Sequence, residues 1–582
     1  MTEPRPSSSL APALLCLWLF GAPIARALVV ADGPPPPPAP APVEEVAAAE
    51  APTEPGVFGA GAFAAEPGGL ALERLEREGA AIGRITIQVG EVFAEDEGKT
   101  NRRMHRLVNR LHRRTRDRVV RRQLLFREGD AFSARLLAES ERILRERDYL
   151  FDAEIEAVGY RDGEVDVAVR TRDVWTLSGG VSFGREGGEN SVEFEVQDNN
   201  FLGTGKEVGI SRTETVDRTS NEILFRDKTP FGRHADVELV AADNSDGHRY
   251  LLHLHRPFYS LETRWSAGMT ALIETRNDTV YDRGEVINRF GVDHQVGELY
   301  WGRSPGLVDG AIQRWKLGYT WESLDFSFLV DAAEPSRPPD DRAFSVLWAD
   351  YEYLQDRFVE VKDLNHLART EDLNVGTRMH TRVGWSSAAL GATADRLVAG
   401  IDASWGFQPG PRQLLFAAAY HGARWGSDGV ENLVVSGELR YHWRNLGRHA
   451  LFARLHADWG QNLDQERPFQ LGGDSGLRGY PLRFATGDRR ALLNVEQRFF
   501  TDWEPLRLAN VGAAVFFDVG RAWYRDDPGS DPGVLTDIGF GLRLSPTRSG
   551  RGSVLHLDVA FPLNGDSSID GVQWLVTSKR SL

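Results

Sequence analysis

A chain of 582 residues with 41% hydrophobic and 26% charged residues is not a helical membrane protein, which needs repeated apolar spans of about 20 residues. Its net charge of −16 argues against a general nucleic-acid binder. With 59 Gly, 15 Trp, 29 Phe and 13 Tyr against 4 Met, a soluble β-rich protein and a transmembrane β-barrel both remain, because alternating strands leave overall hydropathy low.

Arg5 precedes an apolar stretch from Leu10 to Ile24, and Ala25-Arg26-Ala27 closes it as a small-x-small cleavage site. This is the pattern of a secretory signal peptide over 1–27. A single membrane anchor is the alternative, but the span is short and Pro12 and Pro23 interrupt it. The lone Cys16 lies in the segment to be removed. The mature chain is then expected to form no disulfide, thiolate metal site or cysteine nucleophile. Residues 28–79, with Pro34 to Pro38 in one run, read as a disordered Pro/Ala-rich linker.

Residues 80–174 read as one small α/β domain. Ile82, Ile85 and Ile87 lie in a β-favouring run. Leu136, Leu137, Ile143 and Leu144 recur at helical spacing, with Ser133 available as a cap. Ile155 and Ala157 alternate with Glu154 and Glu156, Asp162-Gly163 supplies a hairpin turn, and Val165, Val167 and Val169 alternate with polar neighbours. Between Arg102 and Arg127 stand eleven Arg and one Asp. A nucleic-acid arm is one reading of such a run. Leu107, Val108 and Leu111 favour instead a basic helix with a buried stripe, its charges solvated or set against anionic lipid headgroups. The segment Val119–Phe132 and the residues after it, to Val158, resemble a polypeptide-transport-associated (POTRA) domain, and Asp173-Val174-Trp175-Thr176 looks like the exit from such a domain into a barrel.

Residues 175–582 read as strands. Leu493, Val495, Gln497 and Phe499 oppose Asn494, Glu496 and Arg498. Ile538, Phe540, Leu542 and Leu544 oppose Asp537, Gly539, Gly541 and Arg543. Leu555, Leu557, Val559, Phe561 and Leu563 oppose His556 and Asp558. An apolar outside and a polar, Gly-rich inside is the pattern of a membrane barrel with a wet lumen. Short turns at Thr229-Pro230-Phe231 and Arg256-Pro257-Phe258-Tyr259 contrast with the long polar stretch 331–343, which predicts short turns on one side, long loops on the other and aromatics near one rim. At about 25 residues per strand with its connection, the segment predicts about 16 strands.

Three motifs add to this: Asn200-Phe201-Leu202-Gly203-Thr204-Gly205, then Leu477-Arg478-Gly479-Tyr480 in a long loop, then Phe516-x-Asp518-x-Gly520 on a strand whose even positions face inward. Together, behind a POTRA-like domain, they resemble the outer-membrane assembly superfamily of BamA- and TamA-like proteins and the related two-partner secretion transporters, over about 119–582. The resemblance implies that the loop bearing Arg478 folds into the lumen and docks on the strand bearing Asp518. A planar guanidinium can pair bidentately with an inward carboxylate, Gly479 permits a sharp turn, and Tyr480 can stack on the wall. As an exposed pair this contact is worth about 0–1 kcal/mol. Leu477 stands where the family usually has Val or Ile.

The implied function is assembly of β-barrel proteins into the outer membrane of a Gram-negative-type bacterium, or polypeptide translocation across it, with the POTRA-like domain in the periplasm. Extended client polypeptides, periplasmic accessory proteins and outer-membrane lipids are the expected partners; no enzyme activity, cofactor, metal or nucleic acid is expected. The first strand, with Gly179, Gly180 and Gly184, and the last, ending at Leu582 where Phe is usual, would form a lateral seam. A passive pore or ligand channel with a POTRA-like scaffold is the competing class, and a two-partner secretion transporter a further alternative. Gly473-Asp474-Ser475-Gly476 looks like a protease nucleophile loop, but no histidine-bearing motif accompanies it. Gly203-Thr204-Gly205-Lys206 lacks the first Gly and the following helix of a phosphate loop.

Overall fold

The computed structural model describes residues 72–92, 112–230, 234–329, 337–362, 370–505, 508–527, 529, 531–547, 554–565 and 569–579. The expected signal peptide, nearly all of the expected linker, the apolar stripe at Leu107–Leu111 and Leu582 lie outside these residues.

The small domain is a three-stranded sheet, β1 (Ala81–Gly90), β2 (Leu150–Arg161) and β3 (Glu164–Asp173), with β3 in the middle, parallel to β1 and antiparallel to β2. Helix α1 (Leu72–Arg77) lies within the span read as linker, and α2 (Asp117–Arg121) and α3 (Ala134–Arg145) follow β1. A register shift between Ile82 and Ile85 breaks the strict alternation, so both side chains are buried, with Leu137, Leu144, Val165, Val167 and Val169. Asp162 and Gly163 both take positive φ, the geometry of a two-residue hairpin turn. Ser133 occupies the N-cap position of α3 without a side-chain hydrogen bond. The Ala134 amide donates instead to Glu76 Oε1 of α1 at 2.7 Å.

The rest is a closed antiparallel barrel. Among the described residues it has twenty principal strands, from Leu177–Glu186 to Gln573–Lys579, beside the two-residue strand Leu307–Val308. This corrects the expected count of about 16. The spacing estimate failed because several hairpins close through two residues, as at Gly187-Gly188, Ser245-Asp246 and Arg283-Gly284, and because the first six strands hold only nine or ten residues each. Those lengths suffice to cross the hydrocarbon when tilted. The expected segregation of short turns and long loops is also incomplete: both rims carry tight turns and long connections.

The alternation holds around the wall. Ile223, Leu299, Leu317, Leu347, Leu455 and Phe540 are exposed outside, while Asp350, Glu352, Asn494, Asp537 and His556 are buried inside. Exposed tryptophans ring both rims, not one: Trp265, Trp301, Trp315, Trp405 and Trp443 at the end facing the small domain, and Trp385, Trp459 and Trp574 at the far end. An apolar belt between two aromatic girdles is the outer surface of a membrane-spanning barrel. Among the described residues, no helix is long and apolar enough to cross a membrane.

Candidate functional site: a lumen clamp beside a thin seam

Strands Arg489–Phe500, Ala509–Trp523, Leu535–Pro546 and Val554–Pro562 are neighbours, and their inward positions project Glu496, Asp518, Asp537 and Asp558 into one patch of lumen wall. Asp518 and Asp537 stand directly opposite one another. Four carboxylates so close need cationic and N–H partners, and the connection between Gln461 and Arg489 supplies them. Arg478 donates from Nε and Nη2 to Asp518 at 2.8 and 2.9 Å and from Nη1 to Glu496 at 2.8 Å; Asp558 lies at 3.8 Å. The guanidinium also covers the Phe516 ring at 3.3 Å from its centre. Asn494 donates to Asp518 and to the Gly476 carbonyl, both at 2.7 Å. Arg543 and Arg498 add two more cations, both pairing with Glu496, and Arg543 also with Asp558.

The neighbouring motif residues each make a separate contact. The Gly479 amide donates to Asp537 Oδ2 at 3.0 Å. Gly479 is needed for closeness rather than for a left-handed turn, since an added Cβ would lie 2.6 Å from Asp537 Cβ. The expected sharp turn is taken by Gly476, with φ +111. Tyr480 does more than stack: its buried hydroxyl accepts from the Thr536 amide at 3.0 Å and donates to the Asn564 carbonyl at 2.8 Å. Leu477 packs with Leu471, Phe484 and Leu492. Gly520 leaves the room, because a Cβ there would lie 2.7 Å from Leu471 and 3.2 Å from Leu477. Ser475 serves only its own turn, accepting from the Gly472 amide at 2.7 Å.

The same loop reaches across the far end of the barrel. Its Arg483 grips Asp217 through two bonds of 2.8 and 2.6 Å, Thr486 donates to the Tyr281 carbonyl at 2.7 Å, Asp464 accepts from Arg424 at 2.6 Å, and Glu466 pairs with Arg342. The Leu482 amide donates to the Gly187 carbonyl at 3.1 Å. Gly187 is the tip of the first hairpin, with φ +53, and an added Cβ would strike the Leu482 backbone. The loop therefore touches the hairpin that borders the seam. At that seam, among the described residues, the last and first strands share one registered pair, Val576 with Arg185, where the first hairpin has ten. Gly179 and Gly180 pair with Val196 and Glu195 of the second strand, and Gly184 faces the Val576 carbonyl.

At the opposite end the small domain sits on the turn after the second strand. Asn200 is buried, donating to Thr115 Oγ1 at 2.7 Å and accepting from the Gly205 amide at 2.6 Å. Gly203, at φ +70, accepts from the Arg116 amide at 3.1 Å and passes too close to the Arg114 carbonyl for any side chain. Asp173, wholly buried, takes the Thr115 amide at 2.7 Å and His112 Nε2 at 2.9 Å.

Residues 108–172 match the family model described as POTRA, surface antigen variable number repeat. The chain carries a POTRA domain in front of a membrane-spanning β-barrel. Among solved structures, it is similar to CdiB from Acinetobacter baumannii, at 13% identity and a TM-score of 0.42 over 86% of this chain and 73% of that one. CdiB from Escherichia coli matches at 15% identity and 0.43, over 85% and 76%. BamA from Haemophilus ducreyi lacking POTRA domains 1–3 matches at 14% and 0.37, over 85% and 84%.

In this POTRA barrel, Arg478 meets Asp518 and Phe516 and Leu477 lies beside Gly520, whereas Gly479 and Tyr480 reach the next strand, at Asp537 and Thr536. The exposed-pair energy does not hold, because Arg478 is 8% and Asp518 0% exposed. Sequence reading assigned no role to Glu496, Asp537, Asp558, Arg543, Thr536 or Asn564. The polar alternation marked the first four as inward, but no signal joined strands separated in sequence.

Proposed function

We propose that this protein inserts polypeptides into the outer membrane or moves them across it, without covalent chemistry, with its POTRA domain in the periplasm. The observation that carries the reading is a barrel whose closing strands share one registered pair among the described residues, beside a lumen loop clamped on four neighbouring strands. Strand-edge groups outside that pair can join with another chain. The POTRA sheet offers a second edge: β1 is covered by residues 128–131, whereas the outer half of β2 is exposed. An extended client adds to β2 by β-augmentation and then meets the seam. Periplasmic accessory proteins and outer-membrane lipids are the further partners.

Depletion followed by outer-membrane proteomics tests the reading: levels of other barrels or secreted proteins should fall, and unchanged levels of all of them would overturn it. Locking the seam tests the route. With Cys16→Ser as background, Arg185→Cys and Val576→Cys should abolish function when oxidised and restore it on reduction.

A further inference from the structure

The connection between barrel strands Arg342–Gln355 and Thr377–Ser386 carries its own antiparallel pair, Phe358–Lys362 with Thr370–Asn374. It lies at the POTRA end and folds inward. Asn374 staples its base, donating to the Gln355 carbonyl at 2.8 Å and accepting from the Gly376 amide at 2.6 Å. The pair has two unlike faces. Val359 and Leu373, cross-strand partners, pack with Val375 against Leu414 and Phe416. Those two are inward positions of the Gln413–Gly426 strand, two strands beyond the one that follows the pair. The opposite face carries Phe358 and Asp372, and both are held by helix α3 of the POTRA domain. Arg142 covers the Phe358 ring at 4.1 Å, and Arg145 Nε lies 3.2 Å from Asp372 Oδ2 with both side chains largely buried. An earlier turn at this end, between strands Gly247–Arg256 and Trp265–Asp282, binds the same helix: the Leu261 amide donates to Glu139 at 2.6 Å and Arg135 donates to Glu262 at 2.6 Å.

We propose that this strand pair is a gate over the lumen wall at the POTRA end, latched shut by helix α3. A surface with one apolar side on the barrel and one charged side on the domain couples the two bodies: moving α3 removes Arg142 and Arg145 and leaves the Asn374 staple and the apolar packing of Val359 and Leu373. Local opening of so small an apolar contact is far easier than opening of the barrel. The inference goes beyond the polypeptide reading and does not need it, since the gate operates whatever passes.

The test uses the full chain with Cys16→Ser and Leu414→Cys, which places one thiol under the strand pair, in proteoliposomes with a maleimide probe. The thiol should react slowly. Asp372→Arg should speed labelling several-fold, and Arg145→Asp added to it should slow labelling part of the way back, because Arg145 also pairs with Glu141. Arg142→Ala, which leaves the ion pair intact, should also speed it. If Asp372→Arg and Arg142→Ala both leave the rate unchanged in folded barrels, or if the charge swap fails to slow labelling at all, the gate is overturned.

Discussion

Arg478 is the cation in a box of acids, and its energetics follow from burial rather than from the pair alone. Removing one partner of a buried ion pair costs about 3–5 kcal/mol because the other charge is left without compensation. Arg478→Ala should therefore lower the thermal stability of the folded barrel, read as loss of the heat-resistant band on a gel. Arg478→Lys keeps the charge but loses the two-pronged contact with Asp518, and should recover only part of that loss. Exchanging the charges by Arg478→Glu with Asp518→Arg should rescue poorly, since the new Glu would meet Glu496 as well. A full rescue would mean that Glu496 and Asp558 contribute little. Gly187→Val places a Cβ into the Leu482 backbone at a positive φ, and should expose the loop to protease while leaving strand content, measured by circular dichroism, unchanged. Arg478 and the strand bearing Asp518 and Phe516 were joined by what the family resemblance implies; the alternation marked Asp518 as inward but not its partner. Asn564, which receives the Tyr480 hydroxyl, lies beyond a strand end where no periodicity marks it.

Among the elements, the turn after the second strand behaves as a seat rather than as a simple connection. Asn200→Ala removes partners from Thr115 and the Gly205 amide in a buried place, a loss of about 1–3 kcal/mol for each group left unsatisfied. Hydrogen exchange at Thr115 and Arg116 should accelerate, with the barrel strands unaffected; unchanged exchange would show that the POTRA domain is held elsewhere. The fold class and the order of the POTRA elements were legible because their periods are unambiguous. Strand number was not, because a two-residue turn such as Ser245-Asp246 occupies too little sequence to separate its neighbours. The pair Phe358–Lys362 with Thr370–Asn374 looks like barrel strand by composition, and only its packing on Leu414 and Phe416 sets it apart.

Taken whole, the molecule is occupied at both mouths: the Arg478 loop spans the far end and the two-faced strand pair, with α3 behind it, lies at the POTRA end. Two obstructions in series predict a combined effect larger than the separate ones. In planar bilayers, Arg478→Ala and Asp372→Arg should each change ionic conductance little, while the double variant should conduct clearly more than the sum. Additive conductance would show that one end already leaks. The loop that binds Asp518, Asp537 and the Thr536 amide on the C-terminal side also binds Gly187, Asp217 and Tyr281, some 200 to 300 residues earlier. Contacts this distant along the chain form late and slowly. The loop is therefore a gauge for the protein's own assembly: the circumference is measured by what one guanidinium and one glycine tip can reach together, and the junction of first and last strands can close only after that span has been set.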